Sequence, residues 1–312
     1  MWRYIGKRLI QLVPVIIAIS FITFALIQTA SGDVIDAIYE NAGGTASAEV
    51  LAAKRAELGL DKPFLVQYLN WLIGMLKGDM GVSFVSGRPV FETFVSKLPF
   101  TILLTLSSII ITIAISIPFG IISAVKHNRF TDYCIRFFTF IGNSLPGFFV
   151  SLLLIYFFSL KLKWLPVMGN NEWKSLVLPT LTLSISMASK YTRQVRTTVL
   201  EELGKPYVMG AKARGVKERT ILFASVLRVS MITLVTLMSL SIGSLLGGTA
   251  IIESIFMWDG VGKLAVDSII MRDYPMIQAY VVWMAIIYVL VNLITDILYH
   301  YLDPRVRLNK EE

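Results

Sequence analysis

The chain has 312 residues, of which 55% are apolar and only 16% charged, with a formal net charge of +8. Soluble domains carry about a quarter charged residues, so this composition, with a mean hydropathy of +0.68, excludes an ordinary soluble domain. The basic excess sits in short stretches beside apolar runs, the pattern of an orientation signal rather than of a nucleic-acid surface. One cysteine, Cys134, excludes an internal disulfide, and two His with that Cys leave no zinc-type cluster.

The chain opens with Arg3, Lys7 and Arg8 ahead of an apolar run over 9–30. That run is longer than the core of a signal peptide and ends without a small-residue cleavage pattern, so it reads as an uncleaved first span. Spanning the hydrocarbon core takes about 20 apolar residues. Further segments of that kind occupy 99–125, 135–160, 175–195, 228–252 and 277–300, the fourth interrupted at its end by Lys190 and Arg193. The expected architecture is an all-α integral membrane protein with about six transmembrane helices. Residues 1–98 would hold the first helix and a large extracytoplasmic loop, and 99–312 the remaining five helices.

Placing the N-terminus inside puts 18 of the 29 Lys and Arg residues on the cytoplasmic side. The long loop 31–98 is net acidic and lies outside, so both termini are expected in the cytoplasm. The short loop 161–174, with Lys161, Lys163 and Lys174, runs against this bias.

Within the outer loop, Ser47 is placed to cap a helix ending at Gly59, and Pro63 to occupy the first turn of the next. Leu65, Tyr68, Leu69, Leu72 and Leu76 recur at intervals of three or four and predict one apolar face. This helix either folds onto the outer ends of the bundle or offers a platform to an external partner. In the third span, Asn143-Ser144-Leu145-Pro146-Gly147 interrupts the helix, as a kink or as part of a gate.

The segment 201–228 is too polar to cross a bilayer. Gly215 breaks its helical pattern into two short helices, and Gly210, Ala211, Ala213 and Gly215 keep it slim enough for close approach by a partner. Small residues recur again in Gly243-Ser244-Leu245-Leu246-Gly247-Gly248, suited to tight helix packing within or between subunits. Glu253 and Asp296 are acidic groups in or near apolar segments, either lining a path or anchoring the interface.

Catalytic signatures are missing. Gly260-Val261-Gly262-Lys263 continues with Leu264, and Met257 stands where a phosphate-binding loop needs its first Gly. Neither H-E-x-x-H nor a G-x-S-x-G with plausible partners occurs. The chain is therefore not expected to be an enzyme or to bind a cofactor.

The segment around Tyr207, Gly210, Ala211, Ala213, Arg214 and Gly215 resembles the cytoplasmic loop of binding-protein-dependent ABC importer permeases. Gly215 holds the signature's Gly and Ala211 its second Ala; Met209 and Gly210 replace the usual Glu and Ala, and Ile232-Thr233 stand near the usual Leu-Pro. Further marks resemble the peptide/nickel branch: Leu58 to Pro63, Val66-Gln67-Tyr68, Gly78-Asp79-Met80-Gly81, Gly247-Gly248-Thr249 through Glu253, Arg272-Asp273-Tyr274-Pro275 and Leu302-Asp303-Pro304-Arg305. Ser31-Gly32-Asp33, Trp164 through Gly169, and Ile252 through Gly262 are most similar to the first permease of nickel importers; peptide permeases share much of this pattern, and Asp259 replaces a usual Pro.

The resemblance implies a permease that forms a nickel pathway, with a di- or oligopeptide importer as the alternative. It implies a second homologous permease, two ATP-binding subunits that use the ATP, and an extracytoplasmic substrate-binding protein. The 201–226 loop would be the coupling segment, with Asn143, Ser144, Pro146 and Glu253 as candidate pathway residues. His127 and His300 both fall on the cytoplasmic side of this topology, so nickel would pass without imidazole ligands in the membrane.

Overall fold

The computed structural model describes residues 2–29, 35, 47–57, 59–168, 172–231, 245 and 249–302. Its named elements are all helical: α1 (Trp2–Thr29), α2 (Ala48–Glu57), α3 (Phe64–Leu76), α4 (Val90–Val125), α5 (Phe130–Ser144), α6 (Gly147–Leu154), α7 (Trp173–Leu203), α8 (Pro206–Ala213), α9 (Val261–Ile270) and α10 (Tyr274–Leu302). A π-helical stretch, Ile155–Lys161, extends α6, and a second, Ile221–Val226, follows the short helix Glu218–Thr220.

By length and apolarity, α4 and the Tyr274–Thr295 part of α10 are each able to cross a membrane. The pair Phe130–Ser144 and Gly147–Lys161 passes the same test only when taken together, and it bends by 103° at the break, the geometry of a broken span or of a re-entrant loop. The interruption expected at Asn143–Gly147 is present as a sharp bend within the expected 135–160 segment. Leu145 and Pro146 are both extended there, because a residue before proline is pushed out of the α region. The fifth expected segment, 228–252, falls largely outside the described residues, as do Ser31-Gly32-Asp33, Leu58, Gly169, Ile232-Thr233, Gly243-Ser244, Leu246 through Gly248 and Asp303-Pro304-Arg305. The side chains of Asp296 and His300 also lie outside them.

The chain divides into two compact units: Met1–Thr101 with Asp259–Leu290, and Ile102–Trp258 with Val291–Glu312. In the first unit α1 and α3 pack through aromatic rings. Tyr68 meets Phe21 and Phe24 edge-on, at 5.3 and 5.6 Å between centroids, and shares a 3.0 Å hydrogen bond with Ser20. This corrects the apolar face expected for α3. Phe64, Tyr68, Trp71, Leu72 and Met75 turn inward, while Leu65, Leu69 and Leu76 are exposed. Pro63 is the N-cap of α3 rather than its first helical residue. Leu51 N–H donates to the Ser47 carbonyl, so Ser47 does stand at the start of α2.

Also in this unit, Asp273 accepts from Ser83 Oγ at 2.5 Å and from Phe84 N–H at 3.1 Å. Trp283 Nε1 donates to Met80 Sδ at 3.1 Å, above a small core of Met80, Val90, Met276 and Ala279. The family-like stretches at 78–81 and 272–275 therefore bound one packed corner. An ion pair joins Lys97 to Asp259, and Thr101 Oγ1 accepts from the Val261 N–H at the start of α9.

The second unit is knit by hydroxyls and glycines. On α4, Thr105, Ser108, Thr112, Ser116 and Ser123 recur at helical spacing and are all buried. Ser184 Oγ on α7 donates to the Ser108 carbonyl at 3.2 Å. Gly120 faces Val195, and Gly142 faces Ser189, so closely that a Cβ at either glycine would overlap its neighbour. Small residues of this kind let membrane helices approach.

Candidate functional site

The candidate coupling segment begins where α7 ends at Gly204. Pro206 starts α8 at a position where its missing N–H costs nothing. Val208 is completely buried and joins Ala124, Val195, Val199, Ile221 and Val226 in one apolar cluster, with Ala211 packed against it. α8 is thus anchored by one face to the ends of α4 and α7. Its other face, with Tyr207, Met209, Gly210, Lys212 and Ala213, is exposed.

The end of α8 is a Schellman motif: Gly215 N–H donates to the Lys212 carbonyl and Val216 N–H to that of Ala211. This geometry puts Gly215 at φ +76°, which strains any residue with a Cβ. The two short helices expected on either side of Gly215 are present, as α8 and Glu218–Thr220. Arg214 and Gly215 stand exposed at the turn between them.

Glu202, buried at the end of α7, ties the entry of the segment. It accepts from Tyr207 Oη at 3.0 Å and pairs with Lys205. Partial burial, reinforced by the Glu202 carboxylate, raises the Tyr207 phenol above its ordinary pKa. The phenol therefore stays a hydrogen-bond donor at physiological pH.

A second tie was not anticipated from the residue order. Asp132 is fully buried and receives Arg196 Nε and Nη2, each at 2.8 Å, Ser123 Oγ at 2.5 Å and the Asn128 N–H at 3.0 Å. It clamps the α4–α5 turn to α7 a few residues before the candidate coupling segment. The available signal was Asp132 itself, the only acid between Lys126 and Arg136 in a basic stretch.

Of the candidate pathway residues, Asn143, Ser144 and Pro146 are exposed at the α5–α6 bend. Ser144 Oγ donates to the Phe140 carbonyl, stabilising the last turn before the break. Glu253 is fully buried in the helical residues 249–255. A Cβ at Gly147 would sit 3.6 Å from Ile252 Cδ1, so the bend abuts the segment that carries Glu253. His127 is exposed in the turn between α4 and α5.

Comparison with known proteins matches residues 116–308 to the family described as binding-protein-dependent transport system inner membrane component. Residues 1–105 match the N-terminal component of such membrane proteins. The glutathione transport system permease protein GsiC of Salmonella typhimurium is 38% identical over 307 residues, covering 98% of this chain and 99% of that one. Its counterpart from Escherichia coli K12 is 37% identical over the same length. Among solved structures, the inward-facing MetNI methionine ABC transporter is similar in fold, with a TM-score of 0.57 at 17% identity over 68% of this chain and 97% of that one. The chain belongs to the binding-protein-dependent transport system inner membrane component family: it is a multi-pass, non-catalytic permease subunit of an ATP-driven importer, whose ATP is used by partner ATPase subunits and whose class works with a binding protein.

Proposed function

We propose that this permease carries a small peptide, of the size class of glutathione or a di- or oligopeptide, rather than nickel. The observation that carries this reading is the 37–38% identity to glutathione permeases along 307 residues, 98% of this chain. The stretches that suggested nickel, such as Trp164 through Gly169, are also shared with peptide permeases and do not outweigh similarity over the whole length.

A second homologous permease completes the pathway, and two ATPase subunits drive it. The exposed face of α8, from Tyr207 to Gly215, seats on one ATPase, with Val208 and the Glu202–Tyr207 bond passing its movement to α7. Alternating access is a two-state rearrangement of the two bundles. Both termini lie in the cytoplasm, residues 1–98 form the first helix and the extracytoplasmic region, and 99–312 form the transporting core. Asn143, Ser144 and Pro146 line the path at the α5–α6 bend, with Glu253 beside it.

Uptake in a strain deleted for this gene tests the cargo. Labelled glutathione and dipeptide uptake are expected to fall while nickel uptake is unchanged; loss of nickel uptake alone would reverse the assignment.

A further inference from the structure

We propose that the second unit holds a site for one anionic phospholipid, with an acyl chain in a groove between α4, α5 and α7 and the headgroup at Lys126. The groove is a cavity of about 630 Å³. Its walls are Ile115, Phe119 and Ile122 from α4, Phe138 from α5 and Ile185 from α7. Phe119, Ile122 and Phe138 are exposed, so the groove opens sideways rather than into the core.

Its length fits a lipid. From Ile115 to Lys126 the α4 axis advances about 16 Å, at 1.5 Å per residue. That is the depth of one leaflet of a hydrocarbon core about 30 Å thick. A groove lined with apolar groups over one leaflet's depth, with an exposed lysine at one end, matches an amphiphile better than a second apolar helix.

The polar end is cationic. Lys126 lies in the lining together with Thr131 of the first turn of α5, where helix N–H groups favour an anion. His127 and Arg129 are exposed in the same turn. The one acid between Lys126 and Arg136 in sequence, Asp132, has both oxygens committed to Arg196, Ser123 and Asn128. Lysine beside the membrane surface attracts anionic lipid.

Cys134 lines the same groove and is the only cysteine of the chain, so its alkylation reports occupancy. The assembled importer is reconstituted into phosphatidylcholine vesicles with and without an equal share of phosphatidylglycerol. Reaction of Cys134 with neutral N-ethylmaleimide is followed by peptide mass spectrometry. Phosphatidylglycerol is expected to slow it about fivefold, and Lys126→Gln to abolish the difference. Equal rates in both vesicles overturn the proposal: fast in both means ordinary surrounding lipid, and slow in both means that protein covers the groove. Protection that survives Lys126→Gln also overturns the headgroup assignment.

Discussion

Arg196 grips Asp132 with two parallel hydrogen bonds of 2.8 Å, across the gap between α7 and α5. The carboxylate is fully buried and the arginine side chain is partly so. A bidentate pair of this kind fixes orientation as well as distance. It holds the α4–α5 turn against the helix that leads into the candidate coupling segment, so under the proposed coupling a rigid movement of α8 would reach α7 and α5 together.

Removing one partner is predicted to be costly because the other charge stays buried. Arg196→Ala should destabilise the subunit by about 3–5 kcal/mol, read as loss of folded protein in a detergent melt. Arg196→Lys should recover only part of that, since an ammonium cannot reproduce the two-pronged contact. The double variant Arg196→Met/Asp132→Leu should be more stable than Arg196→Ala alone. Equal stability of Arg196→Ala and the parent would remove the clamp from the account.

At the turn after α8, Gly215 separates stability from coupling. No atom beyond its chain neighbours lies within 4 Å of where its Cβ would be, so a Cβ there enters open space. The left-handed backbone alone costs about 1–2 kcal/mol for a residue with a Cβ. Gly215→Trp is therefore expected to insert and assemble but to lose most transport, while Gly215→Asn, which tolerates this conformation, retains more. Full transport by a stably expressed Gly215→Trp would argue against contact at this turn.

Two close helix approaches should respond differently to repair. At Gly142 the nearest atom to an added Cβ is Ser189 Oγ, and the next is Ser189 Cβ at 3.3 Å. At Gly120 an added Cβ would come within 2.5 Å of Val195 Cβ and 3.0 Å of the Thr192 carbonyl. Ser189→Ala should therefore rescue Gly142→Ala, whereas Val195→Ala should leave Gly120→Ala about 1–3 kcal/mol destabilised. Thermal melts of the two double variants decide it.

The Tyr207 phenol gives a pH signature. Its pKa is raised in the folded protein by partial burial and by the Glu202 carboxylate. A raised pKa means that the folded state holds the proton more tightly. The associated stability is fully present below the ordinary tyrosine value near 10 and is lost as pH rises through the folded value. The absorbance difference between the parent and Tyr207→Phe should place this titration above ordinary tyrosine, and Glu202→Gln should lower it. A titration at the ordinary value in the parent would mean that the Tyr207–Glu202 bond does not form.

Local chemistry explains how much was legible in the residue order. Pro146 and Gly215 impose backbone constraints whatever surrounds them, so the α5–α6 break and the turn after α8 could be read directly. Helix extents were less accessible: α4 begins at Val90 rather than near 99, because a helix continues beyond the apolar thickness of the membrane. The α3 face was misread because Leu65, Leu69 and Leu76 are outward. On α4 small hydroxyl residues from Thr105 to Ser123 are buried alongside Leu104, so burial there does not follow apolarity alone. Asp132 and Arg196 were invisible as a pair, since 64 residues separate them and basic residues near membrane ends have orientation as a sufficient explanation.

The central claim is an importer subunit for small peptides, coupled through α8 to ATPase partners. It is tested most directly in proteoliposomes carrying both permeases and both ATPases, supplied with binding protein and labelled glutathione or dipeptide. The account predicts accumulation that requires ATP and binding protein together and is abolished by Gly215→Trp. Accumulation of nickel but not peptide, or peptide uptake without the ATPases, would contradict it.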